Sequence, residues 1–121
     1  MISRTQVSAA GLRHVPQSVG ELFLGELKLP PGALDELPTL RGLWYLELSG
    51  STVRDQDLRG LARQQSLKHL HVARTSVTGA GFRWLTELKD LRMVDLSGCP
   101  ISEMGLSILS RLPNLETCVL R

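Results

Sequence analysis

The chain has 121 residues, 14 Lys and Arg against 12 Asp and Glu, and 42% hydrophobic residues. This length suits one domain, and no apolar run is long enough to span a membrane, so a membrane partner is not expected. The cations are scattered among acids and not blocked together, which makes a nucleic-acid partner unlikely on charge alone.

One 24-residue pattern organises the sequence and is clearest in residues 67–90, LKHLHVARTSVTGAGFRWLTELKD. Leu67, Leu70, Val72 and Val77 open it, and Phe82, Leu85 and Leu88 close it. Residues 1–18 read as a shortened copy. Offset by 70 positions, Ile2 falls on Val72, Thr5 on Thr75, Val7 on Val77, Gly11 on Gly81 and Val15 on Leu85. The segment lacks the continuous apolar core of a secretory signal. Residues 19–42 form the first full unit, with Val19, Leu22, Leu24, Leu29, Leu34, Leu37 and Leu40 in register. Pro30 and Pro31 mark its turn, where a helix start tolerates proline because the first amides lack an intrahelical acceptor. Residues 43–66 repeat the pattern, with Gln64 as the one polar exception. Residues 67–90 and 91–114 follow, the latter through Leu91, Val94, Leu96, Ile101, Leu106, Leu109 and Leu112. Residues 115–121 supply a terminal strand through Leu115, Cys118 and Leu120. A single repeat domain over 1–121 is expected.

Each unit carries two periods. Apolar and polar residues alternate at 46–48, 70–72 and 94–96, the signature of a strand with one buried face. Phe82, Leu85 and Leu88 are spaced by three, as one stripe of a short helix. Thr78, Ser102 and Ser8 stand just before that helix and are candidate caps, as is Asp55 in its own unit. Gly81 and Gly105 occupy equivalent positions and suggest close approach to the neighbouring coil. Parallel strands need a crossover, and one helix per unit supplies it.

The two cysteines, Cys99 and Cys118, fall about five positions apart along adjacent strands, roughly 15 Å. A disulfide needs Cα atoms within roughly 7 Å. A reduced, cytoplasmic protein is the expectation.

The segments LKHLHVARTSV, LWYLELSGSTV and LRMVDLSGCPI resemble the leucine-rich repeat signature L-x-x-L-x-L-x-x-N/C/T-x-L. Their V-x-x-x-G-[FL]-x-x-L continuation resembles the cysteine-containing, F-box-associated subtype and related bacterial repeats. Ser51, Thr75 and Cys99 stand where the family's asparagine ladder runs. The resemblance implies a right-handed α/β solenoid with a parallel sheet on the concave side and short helices on the convex side. It also implies a module that binds another protein on that sheet.

Alternation sends Leu22, Leu46, Leu70, Val94 and Cys118 inward and the residues around them outward. One outward row reads Phe23, Glu47, His71, Asp95, Val119. Its neighbour reads Glu21, Tyr45, His69, Met93, Thr117. His71 thus falls between Glu47 and Asp95, as a pH-responsive or partner-binding centre, or as a solvated ion-pair row of little energy. His69 and His71 share a face with both carboxylates, but a flat sheet offers poor tetrahedral geometry, so no metal is assigned. Phe23, Trp44 and Tyr45 cluster at the N-terminal part of the face. They are either binding anchors or, for Phe23 and Trp44, packing beneath the N-terminal segment. Arg74, Lys68 and Arg92 flank the face as scattered charge or as contacts for acidic groups.

No phosphate-binding glycine loop, H-E-x-x-H or G-x-S-x-G is present. No cofactor is expected, and the expected function is non-enzymatic protein recognition on the concave face. Phe23, Trp44, Tyr45, Glu47, His69, His71, Met93 and Asp95 would carry it. Two alternatives stand beside that reading. One is a structural unit that self-associates through uncapped ends. The other, implied by the subtype resemblance, is an adaptor that recruits a target to a larger complex.

Overall fold

A computed structural model describes residues 9–121 of the chain. Five three-residue strands recur 24 residues apart: β1 (Glu21–Phe23), β2 (Tyr45–Glu47), β3 (His69–His71), β4 (Met93–Asp95) and β5 (Thr117–Val119). They form one parallel sheet in sequence order. Leu22, Leu46, Leu70, Val94 and Cys118 lie side by side across it, the row the alternation predicts. Leu46, Leu70 and Val94 are fully buried. Leu22 is only half-buried and Cys118 is exposed, because they are the outer members of the row and are packed from one side.

The backbone ladder outlasts the strands. Leu24, Leu48, Val72 and Leu96 each donate to the carbonyl of Glu47, His71, Asp95 and Val119 on the next coil, at 2.7–3.0 Å. Behind the sheet the leucine rows of successive coils merge into one core. Each fully buried leucine contributes about 1.5–3 kcal/mol, so stability comes from stacking and not from any single coil.

The crossovers differ from the helices the sequence suggests. Ala33–Glu36, Asp55–Leu61 and Ala80–Leu85 are 3₁₀ helices. The spacing of three in Phe82, Leu85 and Leu88 is the 3₁₀ period itself, and it lacks the i+4 partners of a wider α-helical stripe. An α-helix forms at Glu103–Leu109, capped by Ser102, whose hydroxyl accepts from the Gly105 N–H at 2.9 Å. A shorter one, Ala9–Leu12, packs on Ala33–Glu36, where Arg13 pairs with Glu36. The repeat match at residues 1–8, and with it the Ser8 cap, lies outside the described residues.

Polar side chains fasten neighbouring coils. Gln64 is fully buried, accepts from the Leu40 N–H at 2.9 Å and donates to the Pro38 carbonyl at 3.0 Å. Asp55 caps the following coil and not its own. It accepts from the Thr78 N–H and hydroxyl and, at 2.9 Å, from the Gly81 N–H. That bond requires the coils to touch. A Cβ on Gly81 would lie 2.8 Å from the Asp55 Cα and nearer still to its carbonyl oxygen. Cys99 bridges coils by donating from Sγ to the Val72 carbonyl at 3.0 Å, and both cysteines are free.

Candidate functional site

The strands are only three residues long, so each presents two outward side chains. In-register pairing turns these into two rows: Glu21, Tyr45, His69, Met93, Thr117, and Phe23, Glu47, His71, Asp95, Val119. All eight residues expected at the site lie in or beside these rows. Tyr45, Glu47, His69, His71, Met93 and Asp95 are half-buried, while Phe23 and Trp44 are exposed at 40% and 38%.

Tyr45 is the hub. Its ring centroid lies 4.9 Å from His71, 5.5 Å from Phe23, 5.5 Å from Trp44 and 6.2 Å from His69. Trp44 also meets His69 edge-on at 5.7 Å. Separations of 4.5–7 Å are those at which ring pairs attract beyond their area burial. Five rings from three coils therefore form one patch. The helix Ala9–Leu12 packs on the convex Ala33–Glu36 and not on the strands that carry these rings. Trp44 lies over Gly20, where a Cβ would come within 3.4 Å of the indole.

The expected carboxylate–histidine–carboxylate row is only half formed. The Nδ1 of His71 lies 3.8 Å from Asp95. Glu47 instead leans along its own strand and accepts from the Ser49 N–H at 2.7 Å. Asp95 does the same with the Ser97 N–H at 3.0 Å. In the coil between, where His71 holds the equivalent position, the Ser49 hydroxyl accepts from the Ala73 N–H at 3.1 Å. On its other side His71 meets the Tyr45 ring, and its Nε2 is buried without a hydrogen-bond partner among the described residues.

Electrostatics follow from this crowding. Burial raises the Tyr45 phenol above its usual 10.0, and the charges of Glu47, Glu21 and Asp95 add to the shift. For Asp95, burial pulls upward, but the Ser97 hydroxyl and N–H, then His71 and Arg121, outweigh it. Its carboxyl sits below the usual 3.8. Among the described residues no group of three or more His, Cys, Asp or Glu side chains is placed to hold a metal ion.

Two of the three flanking cations are already engaged. Arg92 pairs with Glu116 at 3.1 Å, and Arg74 reaches Glu26 at 3.4 Å. The second pair spans two coils and joins two non-glycine residues in the left-handed region, Glu26 (φ 62°) and Arg74 (φ 54°). Gly50 lies between them, and a Cβ there would sit 2.5 Å from the Glu26 carboxylate oxygens. Sequence reading missed this clasp. Its only signal was Glu26 and Arg74 at the turn position that Gly50 and Gly98 hold in the other units.

No family model matches the chain, and no curated protein matches it. Among solved structures it is similar to internalin C2 of Listeria monocytogenes, with 27% identity and a TM-score of 0.68 over 93% of this chain and 44% of that one. It is also similar to an internalin (inlF) of the same organism, with 15% identity and a TM-score of 0.52 over 84% and 35% of the two chains. The second likeness concerns the fold alone. This chain spans less than half the length of either structure. With the sheet described above, these likenesses establish a right-handed leucine-rich repeat α/β solenoid. No helix among the described residues is long and apolar enough to cross a membrane.

Proposed function

We propose that this solenoid is a non-enzymatic module that binds another protein on its concave sheet, with the Tyr45-centred ring patch as anchor. The observation that carries the reading is the patch itself. Five rings are gathered on one sheet face, and two of them, Phe23 and Trp44, remain substantially exposed. Large rings that pack on one another yet keep exposed surface are the residues that dominate binding energy at interfaces. The interlocked coils hold them in place, so little side-chain freedom is lost on binding. Leucine-rich repeats are in general protein-interaction modules, which agrees with this reading; the partner's identity is a separate matter.

The test is capture from native lysate by the wild type and by a Tyr45→Ser, His71→Ser, Met93→Ser triple variant. Proteins retained by the first and lost by the second support the reading. Capture that is indifferent to the triple change, with the fold intact by circular dichroism, removes it.

A second reading rests on a different observation. Leu106 and Leu120 are exposed at 47% and 49%, around a depression that Leu96, Cys99 and Ile101 also line. Such a surface supports self-association through the β5 side. If so, Leu120→Glu lowers the mass seen by light scattering at high concentration, and a wild type that is monomeric there refutes it. The adaptor role and the cysteine-containing subtype rest on the repeat resemblance, with the Cys99 bridge to Val72 as local support. A cytoplasmic setting is supported by the two free thiols.

A further inference from the structure

We infer that the β1–β2 corner of the concave face receives an arginine side chain of the protein partner, an inference that rests on the concave-face reading above. Register sets the corner as a square of alternating chemistry. Glu21 lies opposite Tyr45, and Phe23 lies opposite Glu47. Along β1 the order is carboxylate then ring; along β2 it is ring then carboxylate. Cross-strand neighbours in such a square are about 4.8 Å apart. The two rings meet on its diagonal, with centroids 5.5 Å apart. A group resting on the square therefore lies over two rings, with the side chains of two acids at its other corners.

Few groups satisfy all four corners. An apolar side chain would cover the rings but strip water from Glu21 and Glu47 without replacing it, which is costly. A lysine ammonium would pair with the carboxylates but is compact and strongly hydrated. A guanidinium is planar, weakly hydrated, stacks on aromatic faces and donates in a fork that matches a carboxylate. Glu47 is already oriented by the Ser49 N–H, so one member of the square is fixed before binding.

Among the described residues, no ion pair carries an arginine to Glu21 or Glu47. Arg13, Arg74 and Arg92 are engaged by Glu36, Glu26 and Glu116, and Arg121 acts on Asp95 at the far end of the face. Lys68 follows Trp44 across the strands and stands outside the square. Burial raises the Tyr45 phenol, and the charges of Glu47 and Glu21 on the two strands add to the shift.

The test is titration of the whole chain with tetra-arginine, tetra-lysine and tetra-glutamate peptides at physiological salt, followed by backbone amide NMR shifts. Tetra-arginine is expected to move the amides of β1 and β2 and to bind about threefold tighter than tetra-lysine. Tyr45→Leu is expected to weaken it about threefold, and the Glu21→Gln, Glu47→Gln pair about fivefold, while Glu103→Gln on the convex side changes nothing. Shifts that map elsewhere, equal binding of tetra-lysine, or a Kd unmoved by Tyr45→Leu would each overturn the arginine assignment. Tetra-glutamate binding on the same strands would overturn it too, while leaving the concave face as the protein-binding surface.

Discussion

Gly81→Ala sets two physical effects against each other. Judged by helix propensity, the change should stabilise the protein, by up to about 1 kcal/mol. Coil packing says the opposite. The new methyl would lie 2.8 Å from the Asp55 Cα, and the nearest atoms are backbone, which cannot swing aside. Opening the gap also stretches the 2.9 Å bond from the Gly81 N–H to Asp55, one of several that this carboxylate accepts across coils. Overpacking of this kind costs about 1–3 kcal/mol, so the net expectation is destabilisation by about 2 kcal/mol. In urea, with a slope of about 2 kcal/mol per M, the midpoint should fall by about 1 M. Gly42→Ala is the control, because a Cβ there meets nothing within 4 Å. A Gly81→Ala midpoint at or above that of Gly42→Ala would refute the close-approach argument.

Gln64→Ala should destabilise by about 3 kcal/mol, since it leaves a cavity and orphans the buried Leu40 N–H; a loss under about 1 kcal/mol in the same urea assay would show that water replaces the amide. Asp95 titrates below 3.8 when folded, so its contribution is present above that pH and is lost as pH falls through the folded value. The difference in Tm between wild type and Asp95→Asn should accordingly shrink below about pH 4. Tyr45 is the single tyrosine, so its ultraviolet titration should show a midpoint above 10.0, and Glu47→Gln should move it back toward that value. Partial burial, and after it the charge of Asp95, raise the Cys118 thiol above its usual 9.0. Alkylation of Cys118 by iodoacetamide near pH 8 should therefore quicken in Asp95→Asn.

The rows of the sheet were legible because two periods coincide. Alternation chose the face, and the repeat chose the neighbours, so Tyr45 beside His69 and His71 beside Asp95 followed without coordinates. The lean of each side chain did not follow. Glu47 was expected to face His71, but a free N–H two residues ahead is a nearer donor, and the ring of Tyr45 fills the space instead. Asp55 was placed as a cap of its own helix, whereas its carboxylate serves the next coil. Periodicity records which positions recur, and it is silent on bonds between coils. Gln64 shows what signal such bonds leave. Its partner Leu40 follows Pro38 and Thr39, and the side-chain amide takes both the Leu40 N–H and the Pro38 carbonyl. A polar residue in an apolar row, one repeat after the N–H it serves, is a readable sign of such a bond.

Short strands also limit where binding specificity can reside. Two outward positions on each of five strands give the sheet face a small alphabet, and its chemistry is unevenly distributed. Rings and carboxylates alternate on β1 and β2, imidazoles fill β3, and Met93 with Asp95 holds β4. Thr117 and Val119 offer no charge or ring on β5. A partner that used the whole face evenly would gain little from its β5 side. On the proposed concave-face reading, the expected footprint is therefore off-centre, weighted toward β1–β3, where anchors, charge and preorganisation coincide.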